Sequence, residues 1–337
     1  MIKWIVQIML VTACTVGGIR YHTANIVVEE DTSVSNLLLR LGDTTLISKA
    51  PDYTIEGVSA KSGEEIILKG FTEKPKGGNS GKQSSHFVCV SCHNIQQEDP
   101  DLTVNDPMAR LMYTDAKGIP FLQGTTLYGA VNRTSYYNGD YEKKYGDLVH
   151  PARNNIRNAI QLCATECAQG RLLKDWELES ILAYLWKIDY KIGDLNISKP
   201  ERTQISEARK EEEKESAINL IKSKYLSKSD ATFVYPPEDR KEGYGYEGNP
   251  ENGKLIYENS CLHCHYQQRY SFFHLDKSKM STGHLAAKAG SYSRQSIYQV
   301  IRWGVPSKSG KPSYMPQYTR EKLSDEMVED LRAYLED

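Results

Sequence analysis

The chain has 337 residues, of which 42 are basic and 44 acidic, so its formal net charge is −2. The length suits about two domains, and the near-neutral charge excludes the globally basic surface of a nucleic-acid-binding protein. Seven cysteines, an odd number, argue against a simple disulfide framework, so each thiol needs its own explanation.

The N-terminus predicts export. An apolar run over residues 5–11 precedes Thr12, Ala13 and Cys14. The run is too short to span a bilayer and fits the apolar region of a signal peptide. A small residue before a cysteine is also the arrangement of a bacterial lipoprotein cleavage site. We therefore predict that residues 1–22 are a signal, that the protein is periplasmic and that lipidation of Cys14 tethers it to a membrane. A plain signal peptide and an uncleaved anchor are the alternatives.

Two copies of the pattern C-x-x-C-H follow. They comprise Cys89, Cys92 and His93 in the first copy, and Cys261, Cys264 and His265 in the second. This pattern is the attachment signature of c-type haem. The two thiols add to the haem vinyl groups, and the adjacent histidine reaches the iron. A single copy could be a zinc half-site, but two copies in an exported chain predict two covalently bound haem c groups.

The segments that follow the two motifs end alike. "LKDWELESILAYLWKI", from Leu173, aligns with "LSDEMVEDLRAYLED", from Leu323. Apolar residues recur at helical spacing in both stretches; they are Trp176, Ile181, Leu182, Leu185 and Ile188, and Val328, Leu331 and Leu335. Two unrelated amphipathic helices are the alternative. The shared register favours an internal repeat, in which each cytochrome c domain closes with a C-terminal helix.

The predicted fold is mainly α, with two cytochrome c domains joined by a charged linker. Domain one covers residues 61–195 and domain two covers residues 241–337. The linker, residues 196–240, contains a run over residues 199–215 in which 11 of 17 residues are charged. We expect this run to supply no core face and to form a solvated helix or linker. Residues 23–60 are an N-terminal extension without an assigned function.

The second domain offers a methionine as the sixth iron ligand. Met315 stands in "SYMPQY", just before the final predicted helix, whereas Met280 follows His265 too closely to cross the distal face. A thioether ligand raises the haem potential and suits electron transfer. We therefore predict that His265 and Met315 bind the second iron. A methionine in the core of the domain is the alternative.

The first domain has cysteines where this methionine is expected. Met315 aligns with Thr165, between Cys163 and Cys167, while Met108 and Met112 come too soon after His93. A thiolate ligand lowers the haem potential, so the first haem should have the lower potential. Buried helix neighbours or a disulfide are the alternatives, although a disulfide at this helical spacing would be strained.

Four arginines flank this position in the sequence. They are Arg133, Arg153, Arg157 and Arg171. Positive charge from Arg157 and Arg171 is expected to lower the pKa of the thiol. The planar guanidinium also matches small oxyanions. If the substrate is a small anion, Arg133 and Arg171 are the first candidates to bind it, although surface or structural roles remain alternatives.

The stretches "LYGAVNR" (127–133) and "IRNAIQLCATECAQGRLL" (156–173) resemble the catalytic domain of dihaem thiosulfate dehydrogenases and of the A subunit of the Sox sulfur-oxidation cytochromes. Residues 302–335 resemble their electron-transfer domain. The resemblance implies that Cys163, seven residues before Gly170, is the distal ligand of the catalytic haem. Cys167 stands where those enzymes usually have serine, and a long insertion precedes the cysteines.

The resemblance further implies oxidation of two thiosulfates to tetrathionate, with two electrons passing through the second haem to a periplasmic electron-carrier cytochrome. Some members act chiefly as tetrathionate reductases. The expected function is therefore that of a dihaem oxidoreductase, with catalytic Cys163, Cys167, Arg133 and Arg171. The alternative is a non-enzymatic dihaem electron carrier, in which Cys163 only sets the potential. A dihaem peroxidase is a third class, for which the sequence gives no signal.

Overall fold

A computed structural model describes residues 26–291, 296–305 and 315–337. In these ranges the chain is mainly helical, as predicted, and its extended segments pair only as isolated bridges. None of the helices described there has the length and apolar character needed to cross a membrane. The predicted signal with Cys14 lies outside the described residues.

The described residues form α-helices in both halves of the chain. In order, they are α1 (Val34–Leu41), α2 (Ala60–Lys69), α3 (Pro107–Lys117), α4 (Glu142–Tyr145), α5 (Val149–Ala152), α6 (Ile156–Leu162), α7 (Asp175–Lys187), α8 (Lys199–Glu207), α9 (Glu211–Lys222), α10 (Pro250–Ile256), α11 (Leu262–His265), α12 (Lys279–Ala289), α13 (Ile297–Trp303) and α14 (Asp325–Glu336). Single π-helical turns continue α6 over Cys163–Cys167 and α10 over Tyr257–Cys261.

The two helices predicted from the repeat are α7 and α14. Each begins with acidic residues in its first turn, where negative charge stabilises the helix dipole. The aligned apolar positions face the core, since Leu182 and Leu185 are buried in α7, as are Val328 and Leu335 in α14. The helical spacing of apolar residues therefore predicted these elements correctly.

The same helix crossing occurs in both halves. Helix α2 packs on α7, and α10 packs on α14. A Cβ atom on Gly63 would lie 1.9 Å from the Ser180 carbonyl oxygen, and one on Gly253 would lie 1.9 Å from that of Asp330. Glycine is required at both crossings because the backbones approach too closely for a side chain. Ser180 and Asp330 occupy equivalent positions in the alignment of the two segments, so the shared crossing supports the predicted internal repeat.

One expectation about the charged segment is wrong. Residues 199–215 lie largely in α8 and α9, and Ile205 and Ala208 within the run are buried. With Ala217 and Ile221 they pack against the apolar face of α1. A helix needs only one apolar residue per turn or so to form a buried stripe, so a high charge count does not exclude a core face. The division into two domains and a linker stays a prediction.

The two halves share buried contacts. Leu111 of α3 and Phe121 belong to the same apolar cluster as α10, α13 and α14. The Phe121 N–H donates to the Asn259 carbonyl oxygen (2.9 Å). Lys322 Nζ donates to Glu98 Oε1 (3.1 Å), and both side chains are buried. These contacts fix the first motif relative to the second.

Candidate functional site

The first C-x-x-C-H motif forms a tight turn that positions its histidine. His93 Nδ1 lies 2.7 Å from the Thr125 carbonyl oxygen. A Cβ atom on Gly124 would lie 2.6 Å from the His93 ring, so the ring packs directly on this glycine. Metal-binding histidines commonly donate one ring N–H to a carbonyl, which fixes the ring and presents the other nitrogen to the metal. His93 Nε2 is therefore the nitrogen available to iron.

The second motif repeats this arrangement. Cys261 ends the π-helical turn after α10, and Cys264 and His265 follow in α11. His265 Nδ1 lies 2.9 Å from the Phe273 carbonyl oxygen. Burial lowers the pKa of both His93 and His265. This favours neutral imidazole, which is the form that binds metals.

The residues of both motifs fit a covalently bound haem. All four cysteines of the motifs are free thiols, as attachment requires, and each histidine is oriented through Nδ1. Near the first motif, Nε and Nη1 of the buried Arg110 have no hydrogen-bond partner in the described part of the chain. A carboxylate is the usual partner of buried guanidinium donors, and haem carries two carboxylates. Arg110 would thus help to hold the group.

Met315 lies on the core of the second half. It forms a bridge with Val305, in which the two backbone hydrogen bonds measure 3.0 and 3.1 Å. Its side chain packs against the same apolar cluster as Cys261. Met280, in contrast, is 81% exposed. The structure therefore favours Met315 over Met280 as a ligand candidate, and ligation itself stays a prediction.

Cys163 and Cys167 lie in the π-helical turn after α6. The Ala168 N–H donates to the Cys163 carbonyl oxygen across five residues (2.8 Å), which closes the turn. Both cysteines are free thiols, and the interaction between their side chains shifts the pKa of each. The Tyr145 hydroxyl lies 3.1 Å from Cys167 Sγ, and the Tyr137 hydroxyl lies 3.8 Å from it. Single π-helical turns often occur at functional sites.

This thiol pair lies beside the first motif. Interaction with Cys89 and Cys92 contributes to the shifted pKa of Cys163, after larger effects from Cys167 and burial. The structure thus brings together four cysteines that are up to 78 positions apart in the sequence. Of the predicted catalytic residues, the two thiols lie beside the first motif, and their catalytic role stays a prediction.

The two thiols have opposite pKa shifts. The hydrogen bond with Cys167 and burial raise the pKa of Cys163. The same hydrogen bond, together with Lys144 and two tyrosine hydroxyls, lowers the pKa of Cys167 to about 6, although burial opposes this shift. The expectation that Arg157 and Arg171 lower the pKa of the thiol at position 163 is therefore wrong.

The arginines that flank the cysteines bind other groups. Arg157 donates to the Glu179 carboxylate (2.6 and 2.8 Å) and to two carbonyl oxygens of the N-terminal extension. Arg171 donates to the Glu177 carboxylate (2.6 and 2.7 Å) and to carbonyls that include that of Gly81 (2.7 Å). Arg153 pairs with Glu142. Sequence proximity to the cysteines did not reveal these carboxylate partners.

Arg133 lies on the histidine side of the first motif. It is buried and donates to the carbonyl oxygens of Thr126 (2.9 Å) and Tyr128 (3.3 Å). Burial lowers the pKa of His93, and the charge of Arg133 adds to this shift. Arg133 therefore lies near His93, whereas the substrate was expected to bind near the thiols. Substrate binding by Arg133 and Arg171 stays a prediction.

Sequence reasoning missed Lys144, the cation beside the thiol pair. Lys144 Nζ lies 5.2 Å from the centroid of the Tyr145 ring and 5.9 Å from that of Phe233. Its charge contributes to the lowered pKa of Cys167. Lys144 belongs to the insertion between Arg133 and the cysteines, where two adjacent lysines stand between tyrosines in "YEKKYG". This cluster of lysines and tyrosines is the sequence signal that could have identified Lys144 as a functional residue.

The two C-x-x-C-H motifs lie next to each other. Burial lowers the pKa of His263, inside the second motif, to about 4, while the nearby backbone of Val90 in the first motif opposes this shift. Interaction with Cys264 also contributes to the raised pKa of Cys92, after the larger effect of burial. Groups bound at the two motifs would therefore be neighbours.

Residues 248–335 match the family model described as cytochrome C oxidase, cbb3-type, subunit III. This region includes α10, the second motif, Met315 and α14. No curated protein and no solved structure matches the chain, so the predicted thiosulfate dehydrogenase family stays a prediction. A cytochrome c domain at residues 248–335 supports membership of a cytochrome c family and a function in haem-based electron transfer.

Proposed function

We propose that this protein is a dihaem c-type oxidoreductase that interconverts thiosulfate and tetrathionate. Two thiosulfates would form one tetrathionate and release two electrons, or the reverse. The observation that carries the proposal is the free thiol pair Cys163 and Cys167 beside the first C-x-x-C-H motif. A polarisable thiolate exchanges sulfur–sulfur bonds through a mixed intermediate, which is the chemistry that this reaction requires.

Each motif would hold one haem c. In the first, His93 and Cys163 are the proposed iron ligands, and in the second, His265 and Met315. When bound, haem supplies one-electron transfer. The thiolate ligand is expected to give the first site the lower potential and the thioether to give the second the higher one. Contact between the motifs at Val90 and His263 supports electron passage between the halves.

The substrate is a small dianion and needs fixed positive charge near the thiols. Lys144 fits this role because its charge acts on Cys167 and because Tyr145 supplies a hydroxyl 3.1 Å from the same sulfur. Arg133 and Arg171 remain candidates from the sequence, although both guanidinium groups donate to other acceptors. Cys163 would attack the substrate sulfur, while these groups orient the sulfonate oxygens.

The proposal places the protein in the periplasm, where a carrier cytochrome exchanges its electrons. Lipidation of Cys14 would tether it to a membrane. The alternative function is a dihaem electron carrier without catalysis, which the match of residues 248–335 to a cytochrome family favours. In that case Cys163 only sets the potential of the first site.

A pyridine haemochrome assay should find two haems per chain under either function. Thiosulfate separates the two functions, because it should reduce the oxidised enzyme, whereas a pure carrier would show no reduction. Cys163→Gly should lower the rate about 10³-fold or more, as loss of a covalent nucleophile does. Cys167→Ser should keep the haem spectrum and much of the thiosulfate-oxidising rate. If thiosulfate does not reduce the wild type while Cys163→Gly still changes the haem spectrum, the carrier function is correct.

A further inference from the structure

We propose that Cys167 is a resolving thiol: it releases the second thiosulfate from Cys163 during tetrathionate reduction by forming a Cys163–Cys167 disulfide. This inference rests on the proposed function and assigns a role to a residue that the resemblance leaves open. It predicts that the dithiol alone can reduce one tetrathionate, without electrons from outside the protein.

The π-helical turn places the two thiols close enough to react. Cys163 and Cys167 begin and end the same turn, which the Ala168 N–H closes on the Cys163 carbonyl oxygen at 2.8 Å. Both remain free thiols. A disulfide needs Cα atoms within about 7 Å of each other, and residues four apart in one helical turn meet this limit. The strain expected at this spacing makes such a disulfide easy to reduce again, which suits a bond that forms and breaks during turnover.

The surroundings of the pair distinguish its two members. Two tyrosine hydroxyls contact Cys167 Sγ, that of Tyr145 at 3.1 Å and that of Tyr137 at 3.8 Å. The rings of these tyrosines pack edge to face, with centroids 6.4 Å apart. Cys167 is thus held in place by two hydroxyl groups. Both thiols lie beside the first motif, since Cys163 interacts with Cys89 and Cys92, and Cys167 interacts with Cys92. The proposed function makes Cys163 the thiol that receives the substrate, which leaves the tyrosine-bound Cys167 as the thiol that resolves it.

The reaction balances in two exchange steps. The Cys163 thiolate attacks a central sulfur of tetrathionate, the central S–S bond breaks, and one thiosulfate leaves while Cys163 keeps the other as an S-thiosulfonate. The Cys167 thiolate then attacks the Cys163 sulfur, and the second thiosulfate leaves. Two thiols lose two electrons and form one disulfide, tetrathionate gains two electrons, and the two thiol protons go to solvent.

The test uses the full-length holoprotein with both haems oxidised, under anaerobic conditions, so that the thiols are the only electron donors. One equivalent of tetrathionate is added, released thiosulfate is counted, and free thiols are alkylated. Trypsin cleavage after Arg157 and Arg171 yields a peptide, residues 158–171, that contains Cys163 and Cys167 as its only cysteines. Mass spectrometry of this peptide reports adduct, disulfide or alkylation directly.

The wild type should release two thiosulfates per chain and yield a disulfide-linked peptide that cannot be alkylated. Cys167→Ser, with an unchanged haem spectrum as the control for folding, should release one thiosulfate and retain the adduct on Cys163. The inference is overturned if the wild type stops at one thiosulfate with Cys167 still alkylated, or if Cys167→Ser carries no adduct on Cys163. Release of no thiosulfate, with both thiols alkylated, would overturn the proposed function as well.

Discussion

At the scale of single residues, the charge nearest the thiol pair comes from a segment that lies outside the recognisable motifs. Lys144 is held over the rings of Tyr145 and Phe233, and its ammonium group contributes to the lowered pKa of Cys167. Cation–π contacts with two rings restrict the position of an otherwise flexible side chain. A lysine held in this way can bind an anion without losing much conformational freedom.

We predict that Lys144→Met weakens binding of thiosulfate and tetrathionate. Loss of one hydrogen bond to a charged group should raise KM roughly 10- to 100-fold. Steady-state kinetics on the holoprotein would measure this effect, and Lys144→Arg should recover part of the loss.

Lys143→Met is the matched control, because Lys143 is 56% exposed and pairs with Asp140 at 3.0 Å. It should leave KM within about twofold of the wild type, as surface substitutions generally do. Equal effects of the two methionine variants would show that Lys144 does not contact the substrate.

The residues that sequence alone identified are those whose chemistry is local. Cys89, Cys92 and His93 need only their spacing to be recognised as a haem motif. Lys144 and Cys167 come together only when the segment between them folds. The local sequence around either residue therefore does not indicate that the two are close. Arg171 shows the opposite failure. It is close to Cys167 in sequence, but its guanidinium group donates to the carboxylate of Glu177 in the first turn of α7.

At the scale of helices, two glycines determine how closely the crossing pairs approach. Gly253 of α10 faces the Asp330 carbonyl oxygen of α14 with no room for a methyl group. The crossing precedes the second motif by eight residues, about two turns, since α10 continues through the π-helical turn into Cys261. A shift of α10 would therefore move the attachment cysteine.

We predict that Gly253→Ala lowers the free energy of unfolding by roughly 1–3 kcal/mol, the usual cost of overpacking. Chemical denaturation followed by circular dichroism would measure the loss. Gly283→Ala is the control within α12, because a Cβ atom there meets nothing within 4 Å.

In an open helical position, alanine should be neutral or stabilising by up to about 1 kcal/mol. If Gly283→Ala destabilised the protein more than Gly253→Ala, the result would contradict the close approach of α10 and α14.

Helices α7 and α14 were predictable because apolar residues repeat along them at helical spacing. Helices α8 and α9 were not assigned to the core, because Ile205 and Ile221 are isolated apolar residues among many charges. Their burial depends on packing against α1, which lies more than 160 positions away in the sequence. Periodicity within a segment cannot reveal such a partner.

At the scale of the whole molecule, one buried carboxylate joins the two halves. Glu98 accepts hydrogen bonds from Lys322 (3.1 Å) and Arg110 (3.2 Å). Burial alone would raise the pKa of Glu98, but the charges of Arg110 and Lys322 outweigh it and leave the pKa lowered. The folded state therefore holds Glu98 ionised more strongly than the unfolded state does.

We predict that Lys322→Met destabilises the holoprotein by about 3–5 kcal/mol, the typical cost of removing one partner of a buried ion pair. Lys277→Met is the control, because its ion pair with Glu258 is exposed and should contribute little. Urea denaturation curves at neutral pH would compare the two variants with the wild type.

The contribution of Glu98 to the free energy of unfolding should depend on pH in one direction. Because the folded-state pKa of Glu98 lies below its ordinary value of 4.5, its contribution is fully present above about pH 4.5 and is lost as the pH falls further. Lys322→Met should flatten this acid-side decline. If the free energy of unfolding of the variant fell as steeply with decreasing pH as that of the wild type, Glu98 would not be the cause of the decline.

The burial of Leu111 and Phe121 against α10, α13 and α14 has a practical consequence for anyone who wants the cytochrome c region as a separate module. Excising residues 241–337 would expose the apolar surface that α3 covers. It would also leave Lys322 without its ion-pair partner, Glu98. A soluble fragment would need a graft that carries α3 and Phe121, or polar replacements at the uncovered positions. The unit that can be transplanted is therefore larger than the unit that carries the haem motif.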